Sequence, residues 1–564
     1  MTKVFDDPAR YAEDMLAGFA AAHPRHVRAV PGGVVRAAPA APGTVAVLTG
    51  GGSGHYPAFC GVVGPGFAGG SVVGNVFTSP SAAQAHSVAV EAERGGGVLY
   101  LFGNYAGDVL NFGLAARQLT DEGIPARIFA VTDDVASAGP DEIDKRRGIA
   151  GGFVVFKAAS AAAERGRSLD EVYAAAQHAN DRTRSLGVAF AGCTLPGQAE
   201  PLFTVPAGQM GLGLGIHGEP GVSESDLPTA SELAATLVDG LLAEAPPGAG
   251  ARVTAILNGL GATKYEELYL LWHRVSRLLA AAGVEVVEPE VGELVTSLDM
   301  AGCSLTLSWL DDELADLWAA PADTPAYRKG TPIPVARTTS HQPRATRRST
   351  QRPSATGDAV AVSALIIDRL RVARTVLHEH ADELGKLDAV AGDGDHGRGM
   401  TKGVDAALAA ASEAATATPG ALLAAAGDAW AAEAGGTSGA LWGAGLRALG
   451  SGLPGDRAPA PSEVASATRS ALTTIQTLGK AAPGDKTLLD ALVPFVTAFA
   501  RDAETGLSTA LTTAALAAQQ AAEATARLRP KIGRARPLAE RSLGTPDPGA
   551  VSLALVLRAI AEKE

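Results

Sequence analysis

Cysteine is nearly missing from this chain: three in 564 residues, Cys60, Cys193 and Cys303, far apart and with no Cys-x-x-Cys pair. That scarcity excludes a disulfide framework and a zinc-thiolate centre, and predicts three buried thiols. No apolar run reaches membrane-spanning length, so no transmembrane segment is expected. The first residues, Met-Thr-Lys-Val-Phe-Asp-Asp-Pro, lack the basic-then-apolar profile of a signal peptide, and a cytoplasmic location is the expectation. An excess of positive charge is also lacking. A formal net charge of −13 argues against a nucleic-acid partner, which needs a basic surface to displace counterions from phosphates. Small anionic ligands stay possible, because glycine loops and metals bind phosphate against an unfavourable global charge.

The length is too great for one core, so at least two domains are expected. The reading is residues 1–322 as one domain, 323–358 as a linker and 359–564 as a second domain. The linker carries Pro, Ser, Thr and seven basic residues: Arg328, Lys329, Arg337, Arg344, Arg347, Arg348 and Arg352. Without aromatic interleaving beyond Tyr327, it reads as a solvated tether rather than a nucleic-acid arm. Before it, strand-like runs (Thr44 to Thr49, Gly97 to Phe102, Ala126 to Val131, Val253 to Leu257) alternate with alanine-rich helical segments, an α/β pattern. After it the strand signals vanish. Helical spacing from Val360 to Leu384, Ala421 to Ala434 and Ala510 to Leu528 predicts an all-α bundle.

The densest chemistry lies in Leu387-Asp-Ala-Val-Ala-Gly-Asp-Gly-Asp-His-Gly397. Asp388, Asp393 and Asp395 are hard oxygen ligands that suit magnesium, manganese or calcium, and one such cluster leaves room for phosphate oxygens and water. An EF-hand is disfavoured because the Asp-x-Asp-x-Asp-Gly run and its closing Glu are missing. A solvated Asp-Gly turn is the bland alternative. In the first half, Thr49-Gly-Gly-Gly-Ser-Gly-His55 follows a strand, as does Asn104-Tyr-Ala-Gly-Asp108. His55 and Asp108 could thus converge at one sheet edge for acid/base work on a hydroxyl, although Asp108 also reads as a helix N-cap. The glycine run is neither a dinucleotide fingerprint nor a P-loop. His217, in Gly213-Leu-Gly-Ile-His217-Gly-Glu-Pro-Gly221, sits in a glycine-rich turn where a neutral imidazole can act as nucleophile.

Taken together with Phe77-Thr-Ser-Pro80, Arg146-Arg-Gly-Ile-Ala-Gly151, Ser297-Leu-Asp-Met-Ala-Gly-Cys-Ser304, Gly435-Gly-Thr-Ser-Gly439, Gly484-Asp-Lys-Thr487, Glu540-Arg-Ser-Leu-Gly544 and Asp547-Pro-Gly-Ala550, these segments resemble the dihydroxyacetone kinase family along almost the whole chain. The resemblance implies an α/β ketose-binding domain followed by an antiparallel helical barrel, with free ATP as phosphoryl donor. It implies that His217 adds to the substrate carbonyl as a hemiaminal, that His55 and Asp108 relay the proton of the attacking hydroxyl, and that Gly52, Ser53 and Gly54 lie against the ketose. Asp388, Asp393 and Asp395 would hold two magnesium ions bridging the ATP phosphates. His396, Gly397, Arg398, Gly399, Thr437, Ser438, Gly479, Arg534, Asp547, Pro548 and Gly549 would line the nucleotide. A homodimer is implied as well.

Two departures touch the ketose site. Gly103 stands where the family usually has Lys, and Tyr56 where it usually has Glu. Removing a long cation opens space and a phenol offers a hydrogen bond, so D- or L-erythrulose is the expected acceptor, with dihydroxyacetone as competitor. Other readings are a regulatory partner without turnover, a cyclising FAD-AMP lyase side activity at the nucleotide site, and a lipid-carrying phosphotransfer module.

Overall fold

A computed structural model describes residues 2–330, 353–392, 394–533 and 535–563. Asp393, Arg534, Arg337, Arg344, Arg347, Arg348 and Arg352 lie outside them. The chain divides into two compact units, residues 1–344 and 345–564. Among the described residues no helix is long and apolar enough to cross a membrane.

The first unit is α/β. Its first sheet contains β1 (Val27–Val30), β2 (Gly33–Arg36), β3 (Ala46–Ser53), β4 (Gly70–Val76), β5 (Val98–Gly103) and β6 (Ala126–Val131) in the order β1-β2-β4-β3-β5-β6. The pairs β4/β3, β3/β5 and β5/β6 are parallel. These central strands are nearly continuous in apolar residues, as strands covered on both faces must be. The second sheet, β7 (Thr183–Ala191), β8 (Gln209–Leu212), β9 (Ser223–Asp226), β10 (Arg252–Gly259), β11 (Glu285–Val286), β12 (Glu290–Gly292) and β13 (Ala301–Trp309), is mostly antiparallel with order β11-β10-β13-β7-β8-β9. A bridge between Asp134 and Ser185 ties the end of the first sheet to β7. The four strands read from the sequence are β3, β5, β6 and β10.

Helices α1 (Tyr11–Ala22), α2 (Ala82–Ala92), α3 (Ala106–Asp121), α4 (Gly152–Glu164), α5 (Leu169–Asp181), α6 (Ala230–Leu242), α7 (Tyr265–Ala281) and α8 (Asp312–Ala319) cover the sheets. Capping boxes at Ser81, Ser168 and Thr229 start α2, α5 and α6 where the sequence supplies a hydroxyl followed three residues later by Gln or Glu. A closing hairpin, β14 (Ala322–Asp323) and β15 (Arg328–Lys329), packs onto this unit. Arg328 pairs with Asp323, and the Lys329 ammonium sits over the Trp318 ring and 2.9 Å from Glu288. Cys60, Cys193 and Cys303 are buried free thiols, as expected.

The second unit is helical: α9 (Ala359–Glu379), α10 (Ala381–Asp388), α11 (His396–Glu413), α12 (Pro419–Ala434), α13 (Gly436–Ser451), α14 (Pro461–Gly479), α15 (Leu489–Asp502), α16 (Leu507–Ala524) and α17 (Pro548–Glu562). From α11 onward each helix packs on the next, and α17 and α11 both pack on α9, which closes a ring. The segment Val360 to Leu384, continuous in periodicity, breaks at His380, whose backbone leaves helical angles while its ring pairs with Glu383 at 2.9 Å. No Gly or Pro announces that break. Alanine and glycine let these helices approach closely. A Cβ on Gly427 would lie 2.4 Å from the Gly443 carbonyl, and one on Gly450 2.9 Å from that of Gly420, so α12 and α13 meet backbone to backbone.

One buried cation in the first unit has a measurable consequence. Lys157 on α4 is fully buried, donating to the Leu317 carbonyl in the last turn of α8 at 3.3 Å. Burial, reinforced by the like charges of Lys329 and Arg165, pulls its ammonium down to about 7. Free lysine titrates near 10.4, so between roughly pH 7 and pH 10 the unfolded chain binds more protons than the native one, and native stability rises with pH across that window. Lys157→Met should therefore raise the thermal midpoint by a few degrees at pH 7, with a gain that shrinks toward pH 10. Thermal melts at both pH values check it.

Candidate functional site

The first cluster forms where the two sheets meet. At the carboxyl end of β3 the chain runs Gly50-Gly-Gly-Ser-Gly into His55. The glycines are needed for space. A Cβ on Gly52 would strike the Thr78 backbone nitrogen at 2.6 Å, and Gly54 has φ +103° with the Phe77 ring 2.8 Å from its missing Cβ. His55 is buried, stacked on Phe77 with ring centroids 5.0 Å apart. Its Nδ1 lies 2.7 Å from the Thr296 carbonyl, which can only accept, so Nδ1 carries the proton and donates. Burial, with His217 adding to it, pushes His55 down to about 3, which keeps the ring neutral.

His217 faces His55 with the two Nε2 atoms 3.0 Å apart. It lies in a turn between β8 and β9 that needs Gly218 at φ +83°. Glu219 grips this residue twice: one carboxylate oxygen accepts from the His217 backbone N–H and the other meets Nδ1, both at 3.0 Å. Burial works against the charge on Glu219, but His217 and Arg147 outweigh it and hold the carboxyl well below its usual range. Arg147 stands 3.9 Å from Glu219 and is itself braced by Asp134 at 2.8 Å. Gly215 makes the space, since a Cβ there would lie 2.1 Å from a Glu219 oxygen. Ser297 donates to the Ile216 carbonyl and Leu298 N–H to the Gly54 carbonyl, so the Ser297 motif binds both histidine turns.

Of the residues singled out in the sequence, Ser53 is buried and its hydroxyl has no hydrogen-bond partner among the described residues. Asp108 is buried in the first turn of α3, where Tyr105 rather than Asp108 is the N-cap. Because β3 and β5 are parallel neighbours, Asp108 reaches the same sheet edge as His55; the ring nitrogens of His55 are engaged by Thr296 and His217 instead. Tyr56 diverges from its neighbour: its ring meets Phe19 of α1 edge-on at 6.0 Å and is 43% exposed. At Gly103 a Cβ would lie 2.9 Å from both the Gly148 carbonyl and the Tyr105 ring. The room left by the missing side chain is thus taken by Tyr105, which meets the His217 ring edge-on at 4.8 Å. Tyr105, Glu219, Arg147 and Thr296 escaped the sequence reading as site residues. The first three stood inside or beside quoted motifs, but nothing local says which way their side chains turn.

The second cluster occupies one end of the helical ring. α11, α13 and α17 begin at His396, Gly436 and Pro548, and the first turn of a helix attracts phosphate. His396 is buried with Nε2 2.9 Å from the Ser552 hydroxyl, tying the first turns of α11 and α17; burial draws it down to about 4. Gly397 lets α11 begin against α10, where a Cβ would lie 1.9 Å from the Ala381 carbonyl, and Gly399 faces the Ala434 carbonyl, next to Thr437 and Ser438 in the first turn of α13. Gly479 ends α14 against Leu441 of α13. Asp547 caps α17 through the Ala550 N–H at 2.7 Å, with Pro548 and Gly549 in its first turn. Arg398 lies on α11.

Asp388 accepts from the Asp395 N–H at 3.1 Å. Burial, then the nearby charges of Asp490 and Asp388, pushes Asp547 up to about 7 against the pull of Lys486. Asp388 and Asp490 gather negative charge beside Asp547, charge that a hard divalent cation neutralises, so the donor set fits magnesium. Among the described residues no three acidic, histidine or cysteine groups alone enclose an ion.

Residues 17–326 match the Dak1 domain and residues 390–562 the DAK2 domain. The chain is 58% identical over 576 residues to a D-erythrulose kinase of Mycolicibacterium smegmatis, covering all of this chain and 98% of that protein. It is 54% identical over 572 residues to an L-erythrulose kinase of Pectobacterium atrosepticum, covering 99% and 96%. The crystal structure of the dihydroxyacetone kinase from C. freundii with AMP-PNP and Mg2+ matches all of both chains at 30% identity and a TM-score of 0.53. With a Dak1 and a DAK2 domain in one polypeptide and full-length kinase relatives, the chain belongs to the dihydroxyacetone kinase family and is a phosphotransferase.

Proposed function

We propose that the protein is an ATP-dependent kinase of the four-carbon ketose erythrulose, captured as a hemiaminal on His217, and that it works as a cytoplasmic homodimer. The observation that carries this reading is the pair of buried His55 and half-buried His217, with His217 oriented through Nδ1 by Glu219 so that Nε2 faces His55. A deprotonated imidazole nitrogen adds to a ketone carbon but gains nothing from an alcohol, so glycerol is not held. Capture fixes the chain of the sugar and directs its terminal hydroxyl. His55, kept neutral by burial, and Asp108 at the same sheet edge receive that hydroxyl's proton as the new oxygen–phosphorus bond forms. At the other site the starts of α11, α13 and α17, with Thr437 and Ser438, cradle the nucleotide phosphates. Two magnesium ions held by Asp388, Asp393 and Asp395 would neutralise charge on the transferred phosphoryl group.

Erythrulose over dihydroxyacetone is supported by the kinases named above at 58% and 54% identity. The side chain that suits the extra hydroxymethyl group is Tyr105, whose buried hydroxyl has no hydrogen-bond partner among the described residues. A second reading, cyclising cleavage of FAD at the nucleotide site as a side reaction, is supported by 34% identity over 579 residues to the triokinase/FMN cyclase of Homo sapiens. Incubation with FAD and magnesium should then release AMP and cyclic FMN; their absence removes it.

Turnover is read as ADP release with magnesium, ATP and a panel of D-erythrulose, L-erythrulose, dihydroxyacetone and glycerol. Asp388→Asn should abolish turnover on every acceptor, a loss of at least about 1000-fold from several kcal/mol of charge stabilisation. His217→Ala should remove ketose-dependent release while any slow, ketose-independent ATP hydrolysis persists. Asp108→Asn should cost about 10²- to 10⁴-fold in kcat. Intact turnover in both His217→Ala and Asp388→Asn overturns the assignment, and a clear preference for dihydroxyacetone overturns the acceptor. Tyr105→Phe should lower kcat/KM for erythrulose by about 3- to 10-fold, the worth of one neutral hydrogen bond, with a smaller loss on dihydroxyacetone.

A further inference from the structure

Donor and acceptor roles around the two histidines lead to a count of protons. The Thr296 carbonyl can only accept, so His55 spends its Nδ1–H there and in its neutral form presents a lone pair at Nε2. Glu219, held well below its usual range, accepts as a carboxylate, so His217 spends its Nδ1–H on it at 3.0 Å. Two lone pairs cannot face each other at the 3.0 Å that separates the Nε2 atoms. A third proton must lie between them. The two rings together then bear one positive charge, and the carboxylate in contact with His217 is Glu219, itself held in place by the His217 backbone N–H, Arg147 and the gap at Gly215.

We propose that Glu219 is the positioning residue and counter-ion of His217, fixing its Nδ1–H tautomer and balancing a proton stored between the two Nε2 atoms. The proposal rests on the capture reading above and deepens it. On arrival of the ketose, the stored proton leaves His217 Nε2 for His55 Nε2. The freed lone pair forms the carbon–nitrogen bond, the carbonyl π pair moves onto oxygen, and that oxygen takes the proton from His55. The hemiaminal hydroxyl thus carries the stored proton, and the ring, now bonded to carbon at Nε2 and still bearing Nδ1–H, keeps one positive charge. No charge is created or destroyed, and none needs to enter from water. Glu219 faces a cation before capture and after it, so the charge it balances is present at both stages. Release of the phosphorylated ketose reverses the steps and restores the proton.

Two measurements test this. Nitrogen NMR of ligand-free enzyme labelled in its histidines, with His217 assigned by its loss in His217→Ala, should show three ring protons over His55 and His217 at pH 7: one on each Nδ1 and one shared between the Nε2 atoms. A wild-type spectrum with only two ring protons, or with His217 protonated at Nε2 alone, overturns the proposal without any variant having to fold. Glu219→Gln, which keeps shape and an accepting oxygen but removes the charge, should lose the shared proton and lower kcat/KM for the ketose by about 10- to 100-fold, while the KM for ATP stays unchanged. Equal loss on both substrates, or wild-type behaviour, overturns it. Failure of capture itself is read separately: carbonyl-13C ketose added to wild type without ATP should show a hemiaminal carbon, and its absence strikes the capture reading while leaving the ligand-free proton count to stand or fall alone.

Discussion

A single hydrogen bond, from His55 Nδ1 to the Thr296 carbonyl at 2.7 Å, sets the geometry on which the proposed ketose site depends. It joins a residue at the end of the first sheet to the segment entering β13 of the second. Because a carbonyl cannot donate, it also chooses the tautomer of His55 and aims Nε2 at His217. Everything around it protects that choice. Phe77 stacks on the ring, Leu298 N–H holds the Gly54 carbonyl, and burial keeps the imidazole neutral. The histidine pair therefore lies on a seam between two sheets, each supplying one ring.

The helical unit solves a different problem, bringing several helix starts to one end of a ring without side chains in the way. Small residues do this. Gly427 against Gly443 and Gly420 against Gly450 seat α12 on α13, and Gly397 lets α11 begin beside Ala381. What resembles low-complexity alanine in the sequence is the condition for close helix packing. Close packing in turn places Thr437, Ser438 and the Asp547 cap on short first turns.

Much of this was legible beforehand. β3, β5, β6 and β10 announced themselves by apolar runs, three of them ending in glycine, and α12 and α16 by alanine and leucine spacing. His380 did not, because no residue that forbids helix stands at the break between α9 and α10. Arg328 and Lys329 read as tether, yet Asp323, Glu288 and Trp318 pin them to the first unit through contacts invisible along the chain. At the site, Tyr56 was chosen for its phenol because it follows His55. Adjacent side chains in such a turn point apart, and its ring meets Phe19 while Tyr105 takes the place beside His217.

By itself the sequence determined the two-part architecture, the cluster of hard oxygen donors at Asp388, Asp393 and Asp395, and the presence of a histidine in each of two glycine turns, because periodicity, charge and residue type are local properties. Only the tertiary structure decided that His55 and His217 share one site, that Glu219 and Arg147 stand behind the second, and that Gly103 makes room for Tyr105. Those facts depend on which strand ends meet and which way a ring turns. His55 and His217 are 162 positions apart in the chain, and packing alone brings their nitrogens to 3.0 Å.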